Sequence, residues 1–233
     1  MTRRFFYIVS LLLIIGTNAQ AQKRLLVPEM YFGVHGGASG STVLFTPAVD
    51  AMSPFLKGVV VGGTGGLVFR YSEQKCCGVQ VELNYMQRGW REAGVDANGV
   101  EADYAKKLHY LELPFLMHIY FGKPSFRGFV NLGPQIGYCI KEEEINLNPA
   151  GYSVRPEYQP IDNRFDWGLA GGLGFYYRSR KAGIYQLEVR ANYSLGTLFS
   201  NKVGADFQMS NPLTVGVHLA WLWEFHKNEK LKK

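Results

Sequence analysis

The feature that most constrains this chain is a long alternation of apolar and polar residues. From Tyr185 to Ser194, five apolar side chains alternate with five polar ones without interruption. Between Leu213 and Phe225, every odd-numbered position is apolar. Successive side chains of a β-strand point to opposite faces, so each segment predicts a strand with one apolar and one polar face. Most such runs are 10 to 15 residues long, whereas a tilted strand needs roughly 9 to 11 to cross a membrane.

The same pattern over the rest of the chain predicts eight strands, near residues 30–39, 62–71, 78–89, 107–121, 126–140, 166–178, 183–195 and 212–225. Four connections are long and three are short, in strict alternation. The long ones are 40–61, 90–106, 141–165 and 196–211; the short ones are 72–77, 122–125 and 179–182. That order is typical of barrels in an outer membrane, with short periplasmic turns and long external loops. We therefore predict an all-β fold, an eight-stranded up-and-down antiparallel transmembrane β-barrel with both termini in the periplasm of a Gram-negative bacterium.

Alternation alone leaves a soluble lipocalin-like barrel or a sandwich open, because there the apolar face points inward. Aromatic residues at the inferred periplasmic rim favour the membrane, since girdles of aromatics flank such barrels. These are Tyr31, Phe32, Tyr71, Phe121, Phe126, Tyr177, Tyr185, Trp223 and Phe225.

The polar faces carry charges of both signs, at Arg70, Glu82, Arg88, Glu112, Asp166, Arg178, Glu188, Arg190 and Glu224. In a membrane barrel these charges lie inside, where an unpaired charge would cost several kcal/mol. Eight strands leave an interior just wide enough for side chains to fill. The pattern predicts a paired charge network in the barrel interior and no open pore. Glu112, inward by parity beside Pro114, needs a partner such as Arg88 or Arg70.

The N-terminus has the plan of a secretory signal peptide. Arg3 and Arg4 precede an apolar run from Phe5 to Gly16, and Ala19-Gln20-Ala21 is an A-x-A cleavage site. Twelve apolar residues are too few for a spanning helix, which needs about twenty. We expect a cleaved peptide at 1–21, a barrel at 22–225 and a basic periplasmic tail at 226–233.

The charge distribution and the cysteine positions limit the possible partners and cross-links of this chain. The net charge of +6 is spread along the chain, which predicts no nucleic-acid partner. Cys76 and Cys77 fall at the opposite end of the predicted barrel from Cys139, so we expect no structural disulfide, and their role stays open.

Residues suited to catalysis or metal binding are sparse. The five histidines show no H-x-x-x-H spacing, and no C-x-x-C motif exists, so neither a metal nor a cofactor is predicted. His109 lies near the outer rim and could pair with Asp103, but no serine is placed beside it by the sequence. We therefore expect a protein that is not an enzyme.

Two motifs carry a family resemblance. The run Leu108-His109-Tyr110-Leu111-Glu112-Leu113-Pro114-Phe115-Leu116 and the segment Tyr85-Met86-Gln87-Arg88-Gly89 resemble stretches of the PorT-like outer-membrane barrels of Bacteroidetes. A glycine-bearing strand at 128–134 follows, and the resemblance covers essentially the whole mature chain. It implies an interaction or assembly component of the outer membrane that would assist type IX protein secretion. Its partners would be outer-membrane lipid and secretion-machinery or other envelope proteins, with a monomeric barrel. A narrow porin-like channel and a surface adhesion barrel are the alternatives.

Overall fold

The computed structural model describes residues 29–47, 56–72, 76–95, 101–146, 160–179, 182–199 and 207–224. The predicted signal peptide at 1–21 and the predicted tail at 226–233 lie outside them. The strands are β1 (Glu29–Pro47), β2 (Leu56–Gly58), β3 (Val60–Ser72), β4 (Cys77–Val95), β5 (Glu101–Lys123), β6 (Phe126–Asn146), β7 (Phe165–Ser179), β8 (Gly183–Ser194) and β9 (Phe207–Glu224). None of the described residues form a helix that is long and apolar enough to cross a membrane.

The strands close into a barrel with an eight-stranded wall. Each pairs antiparallel with its neighbour in the chain, and the β1–β9 and β4–β5 pairings complete the ring. The short β2 counts with β3, because only Val59 separates them and both pair with β4. Between the Gly58–Arg91 and Thr64–Met86 partners, the β2–β3 side has one more residue than β4, which marks a bulge. The predicted all-β, eight-stranded up-and-down barrel is confirmed.

The strands extend further at the long-connection end than alternation predicted. The link expected at 90–106 is mostly strand, since β4 and β5 stay paired as far as Val95 and Glu101. Likewise β6 continues to Asn146 and β9 begins at Phe207. Backbone ladders need no apolar face, so polar strand extensions above the lipid leave no period-two signal.

The apolar faces point outward. On β5, the side chains of Leu111, Leu113, Phe115, Met117, Ile119 and Phe121 are exposed, whereas the intervening positions are buried. Ten residue steps at about 3.4 Å, tilted by about 40°, make this band about 26 Å tall, which suits a membrane barrel. The outward direction excludes the lipocalin-like alternative, whose apolar face would fill the core.

One detail of the predicted aromatic rim is wrong. Tyr31 points into the barrel and is 3% exposed. It shares parity with the buried His35 and not with its neighbour Phe32, which faces outward; adjacent strand residues cannot share a face. Phe225 lies outside the described residues.

Candidate functional site

The buried charged side chains of this barrel lie in its lumen. At the centre of the lumen they form a cluster around Arg190. The Arg190 guanidinium from β8 donates to both carboxylate oxygens of Glu82 on β4, with Nη1–Oε2 at 2.6 Å and Nη2–Oε1 at 2.7 Å. It also donates to Glu188, two residues away on its own strand, at 2.9 Å from both Nε and Nη2. All three side chains are at most 4% exposed. One arginine thus ties two walls of the barrel through two buried carboxylates.

Arg70 joins this cluster through two glutamines. Its Nε donates to Gln80 Oε1 at 2.8 Å, and its Nη2 donates to Gln186 Oε1. The amide of Gln80 donates to Glu82 at 2.5 Å, and that of Gln186 to Glu188 at 3.0 Å. The central cluster therefore holds two arginines and two glutamates, and the glutamines relay hydrogen bonds between them.

A second cluster lies nearer the long-connection end, around Arg88. Its Nη1 donates to Asp166 Oδ2 at 2.7 Å and to Ser194 Oγ at 3.0 Å. Its Nη2 contacts Glu112, so Arg88, not Arg70, is the partner of that carboxyl. The guanidinium also lies 4.8 Å from the centre of the Tyr110 ring.

The remaining two predicted charges lie at the short-turn rim. Arg178 donates to Glu224 at 3.1 Å and to Glu29 at 3.0 Å, and Tyr31 donates to the second oxygen of Glu29 at 2.8 Å. Glu29 was missed because the predicted first strand began one residue after it, although its parity matches the inward Tyr31. The nine predicted residues thus form three groups along the barrel axis.

Three inward histidines were also missed as parts of this site. His35 Nε2 lies 2.6 Å from Asn84 Oδ1, and the His35 ring stacks on His218 with centroids 5.5 Å apart. His118 Nδ1 lies 2.7 Å from Asn131 Oδ1, whose amide donates to Glu188. Their even or odd positions matched the inward faces, so parity alone could have found them. Among the described residues, no group of three or more His, Cys, Asp and Glu side chains could hold a metal ion.

Apolar clusters lie at both ends of the charged interior. The lower cluster, at the short-turn end, comprises Tyr31, Val68, Tyr120, Phe129, Tyr176, Ile184 and Leu222. The upper cluster comprises Val43, Trp90, Leu108, Tyr110, Cys139, Ile161 and Leu198. Ile161 and Leu198 come from the connections before β7 and after β8 and fold onto the upper end. The central cluster around Arg190 and the cluster around Arg88 therefore lie between these two apolar clusters, whereas the Arg178 group lies at the rim.

His109 and the cysteines lie away from the charged interior. His109 Nδ1 is 2.5 Å from the Tyr85 hydroxyl and its Nε2 is 3.3 Å from Glu143 Oε2. The side chain of Asp103, its expected partner, lies outside the described residues. This order of contacts around His109, with the tyrosine at Nδ1 and the acid at Nε2, differs from that of an acyl-transfer triad, in which Nδ1 faces the acid and Nε2 faces the serine. All three thiols are free, with Cys76 exposed at the short-turn end and Cys139 buried in the upper cluster.

Comparison with known proteins gives both a family and a fold. A family model described as "Outer membrane protein beta-barrel domain" matches residues 18–200. The crystal structure of the outer membrane protein OprG from Pseudomonas aeruginosa is similar over 84% of this chain and 96% of its own, at 16% identity and a TM-score of 0.50.

Two further structures were found by the same comparison. Ail, the attachment invasion locus protein of Yersinia pestis, crystallised with the heparin analogue sucrose octasulfate, covers 84% of this chain and 99% of its own, at 15% identity and a TM-score of 0.42. Outer membrane protein W of E. coli covers 86% of this chain and 100% of its own, at 17% identity and a TM-score of 0.36. A comparison with curated proteins found no match.

Proposed function

Because the chain belongs to the outer membrane protein beta-barrel domain family, we propose that it is a plugged, non-enzymatic barrel that acts through its exposed surfaces as an interaction or assembly component. The barrel lies in the lipid of the outer membrane. In this proposal the interior charges are structural, the long connections face the outside of the cell, and both termini face the periplasm. Envelope proteins are its partners.

The burial of the interior charges carries this proposal. Side chains that line an open pore contact water, so they keep accessible surface. Arg70, Glu82, Arg88, Glu112 and Glu188 are instead only 1–2% exposed. Paired charges of this kind, enclosed by apolar clusters at both ends, support a solid lumen, as expected for a barrel of eight strands.

The narrow-channel alternative is tested by conductance. Purified barrel in a planar bilayer is expected to give no steady single-channel steps. A matched variant, Tyr176→Ala, removes one ring of the lower cluster and should remain silent, because the charge clusters above it stay filled. Regular steps from the wild-type protein would contradict the plugged interior and favour the channel.

Assistance to type IX secretion is the finer part of the proposal. Its support is the resemblance of the Tyr85–Gly89 and Leu108–Leu116 segments to PorT-like barrels. The test is the secreted and periplasmic proteome of a clean deletion strain, with a complemented strain as control. We expect proteins carrying type IX signals to disappear from the medium and to accumulate inside the cell. Unchanged secretion would remove this role and leave the membrane barrel itself intact.

A further inference from the structure

We propose that a cleft on the outer wall, at the long-connection end, binds the phosphorylated sugar headgroup of an outer-leaflet glycolipid. The cleft lies between residues 162–164 and 195–197. Its volume of about 670 Å³ falls within the range of about 300–1,000 Å³ of ligand sites. The inference rests on the proposed orientation of the barrel, in which this end faces the cell surface.

The floor of the cleft is aromatic and continues the lipid-facing wall. Tyr138 on β6 and Phe165 and Trp167 on β7 point outward and are between 51% and 58% exposed. Their strands continue directly toward the apolar Ile136 and Leu169. Aromatic rings at the edge of the hydrocarbon suit both sugar rings and the first carbons of acyl chains. This floor favours a ligand that is anchored in the membrane.

The upper side of the cleft is polar and includes one guanidinium and one carboxylate. Asp162, Asn163, Arg164 and Thr197 line it. The side chain of Arg164 is 52% exposed, and its Nη2 lies 3.9 Å from Glu142 Oε1. A guanidinium presents several N–H donors in a plane and matches phosphate oxygens two at a time. Amide, hydroxyl and carboxylate groups beside it match sugar hydroxyls.

The two segments that form the cleft are held together before any ligand arrives. Asn163 donates from its backbone to Leu198 O at 3.1 Å and from its side chain to Thr197 O at 2.9 Å. Leu195 and Gly196 both donate to Trp167 O, at 2.8 and 3.2 Å. Because these segments are already ordered, binding does not have to offset their loss of conformational freedom.

Position and charge together identify the class of ligand. A neutral lipid would add no anionic partner to Arg164, whose contact with Glu142 is 3.9 Å long. A soluble sugar phosphate would leave the aromatic floor in contact with water. An acylated, phosphorylated sugar satisfies both halves, with its phosphate at Arg164 and its acyl chains running down the wall below Trp167.

The test measures binding of bisphosphorylated lipid A to the purified full-length barrel in detergent by native mass spectrometry. Arg164→Gln should weaken binding about tenfold, as expected from losing one charged contact. Lys141→Gln is the matched control, because it removes one positive charge at the same end and lies outside the cleft; it should change affinity less than twofold. Heat-dependent gel mobility verifies that each variant is folded. Equal losses in the two variants would overturn the site and indicate general attraction of charge.

Two further ligands distinguish the sources of the phosphate. Dephosphorylated lipid A should bind the wild type about as weakly as bisphosphorylated lipid A binds Arg164→Gln. The deacylated phosphorylated disaccharide should bind at least tenfold more weakly than the intact lipid. If it binds equally well, the site takes a free sugar phosphate and the glycolipid assignment fails.

Failure of this inference and failure of the proposed function give different results. If the purified protein does not distinguish these lipids, the inference about the cleft fails. The secretion result from the deletion strain is independent of that outcome. The orientation has its own readout, since a membrane-impermeant maleimide should not reach Cys76 in intact cells. Labelling of Cys76 there would reverse the barrel and remove the glycolipid leaflet from the cleft, whatever the affinity in detergent.

Discussion

Replacing Arg190 by methionine tests whether the central charge cluster stabilises the barrel. The substitution keeps a long apolar stem and removes four hydrogen bonds of 2.6 to 2.9 Å to Glu82 and Glu188. Both carboxylates stay buried, at 1–2% exposure. Within the described part of the chain, they keep hydrogen bonds from the amides of Gln80 and Asn84 to Glu82 and of Gln186 and Asn131 to Glu188. His35 Nε2 lies 3.9 Å from Glu82 Oε2.

The magnitude follows from the burial of these groups. Removing one partner of a buried ion pair costs about 3–5 kcal/mol, because an uncompensated charge stays behind. Arg190→Met leaves two such charges, so we expect the upper part of that range. With a denaturant slope of about 2 kcal/mol/M, the urea midpoint should fall by about 2 M.

The assay is urea unfolding of the barrel in lipid vesicles, followed by heat-dependent gel mobility and tryptophan fluorescence. Lys141→Met is the control, since Lys141 is 65% exposed and its contact with Glu143 is 3.9 Å long. An exposed pair of this kind contributes about 0–1 kcal/mol. A loss below 1 kcal/mol for Arg190→Met would refute the view that these charges are mutually dependent.

A triple variant separates pairing from simple packing. Adding Glu82→Gln and Glu188→Gln to Arg190→Met removes the orphaned charges, so most of the lost stability should return. If the triple variant is as unstable as Arg190→Met alone, the damage comes from the shape of the side chain and not from its charge.

The remaining predictions concern local packing and access. Gly172→Ala should destabilise the barrel by about 1–3 kcal/mol in the same urea assay, because a Cβ there would lie 3.0 Å from Glu188 Cδ. Gly171→Ala is its control; its Cβ would meet only the end of one leucine, at 3.5 Å, and a change within about 0.5 kcal/mol is expected. Alkylation of detergent-solubilised folded protein should modify Cys76 within minutes and Cys139 only after unfolding, read by mass spectrometry. Rapid modification of Cys139 would show that the upper cluster is open.

Strand parity predicted which side chains face the lumen, because the period of a strand is two wherever it lies in the wall. Glu82, Arg88 and Arg190 were placed inside for this reason. Parity cannot predict which inward side chains form ion pairs with each other. That depends on the stagger between strands, which sets the height of each residue along the barrel axis. Arg190 therefore reaches Glu82, 108 residues away, and not the equally inward Glu112.

The ends of the barrel were hardest to predict. Between residues 91 and 107 the sequence does not alternate between apolar and polar residues, although pairing of β4 with β5 continues to Val95 and Glu101. The inward turn of Ile161 and Leu198 depends on tertiary contacts that no local pattern records. The cleft beside them was missed because its two sides come from separate connections.

The long separation of the paired charges has a consequence for assembly. Glu82 and Arg190 are 108 residues apart, and Arg88 and Asp166 are 78 apart, so neither pair can form from a local hairpin. While the sheet is open, Glu82 and Asp166 lack these arginine partners, although Arg190 can already pair with Glu188 and Arg88 with Glu112. Pairing of Glu82 and Asp166 therefore waits until the distant strands come together, and a partly formed sheet gains less by entering the hydrocarbon. Only a ring with the correct stagger between strands pairs these acids with these bases. A ring with a slipped register leaves buried charges unpaired and is therefore less stable than the native barrel.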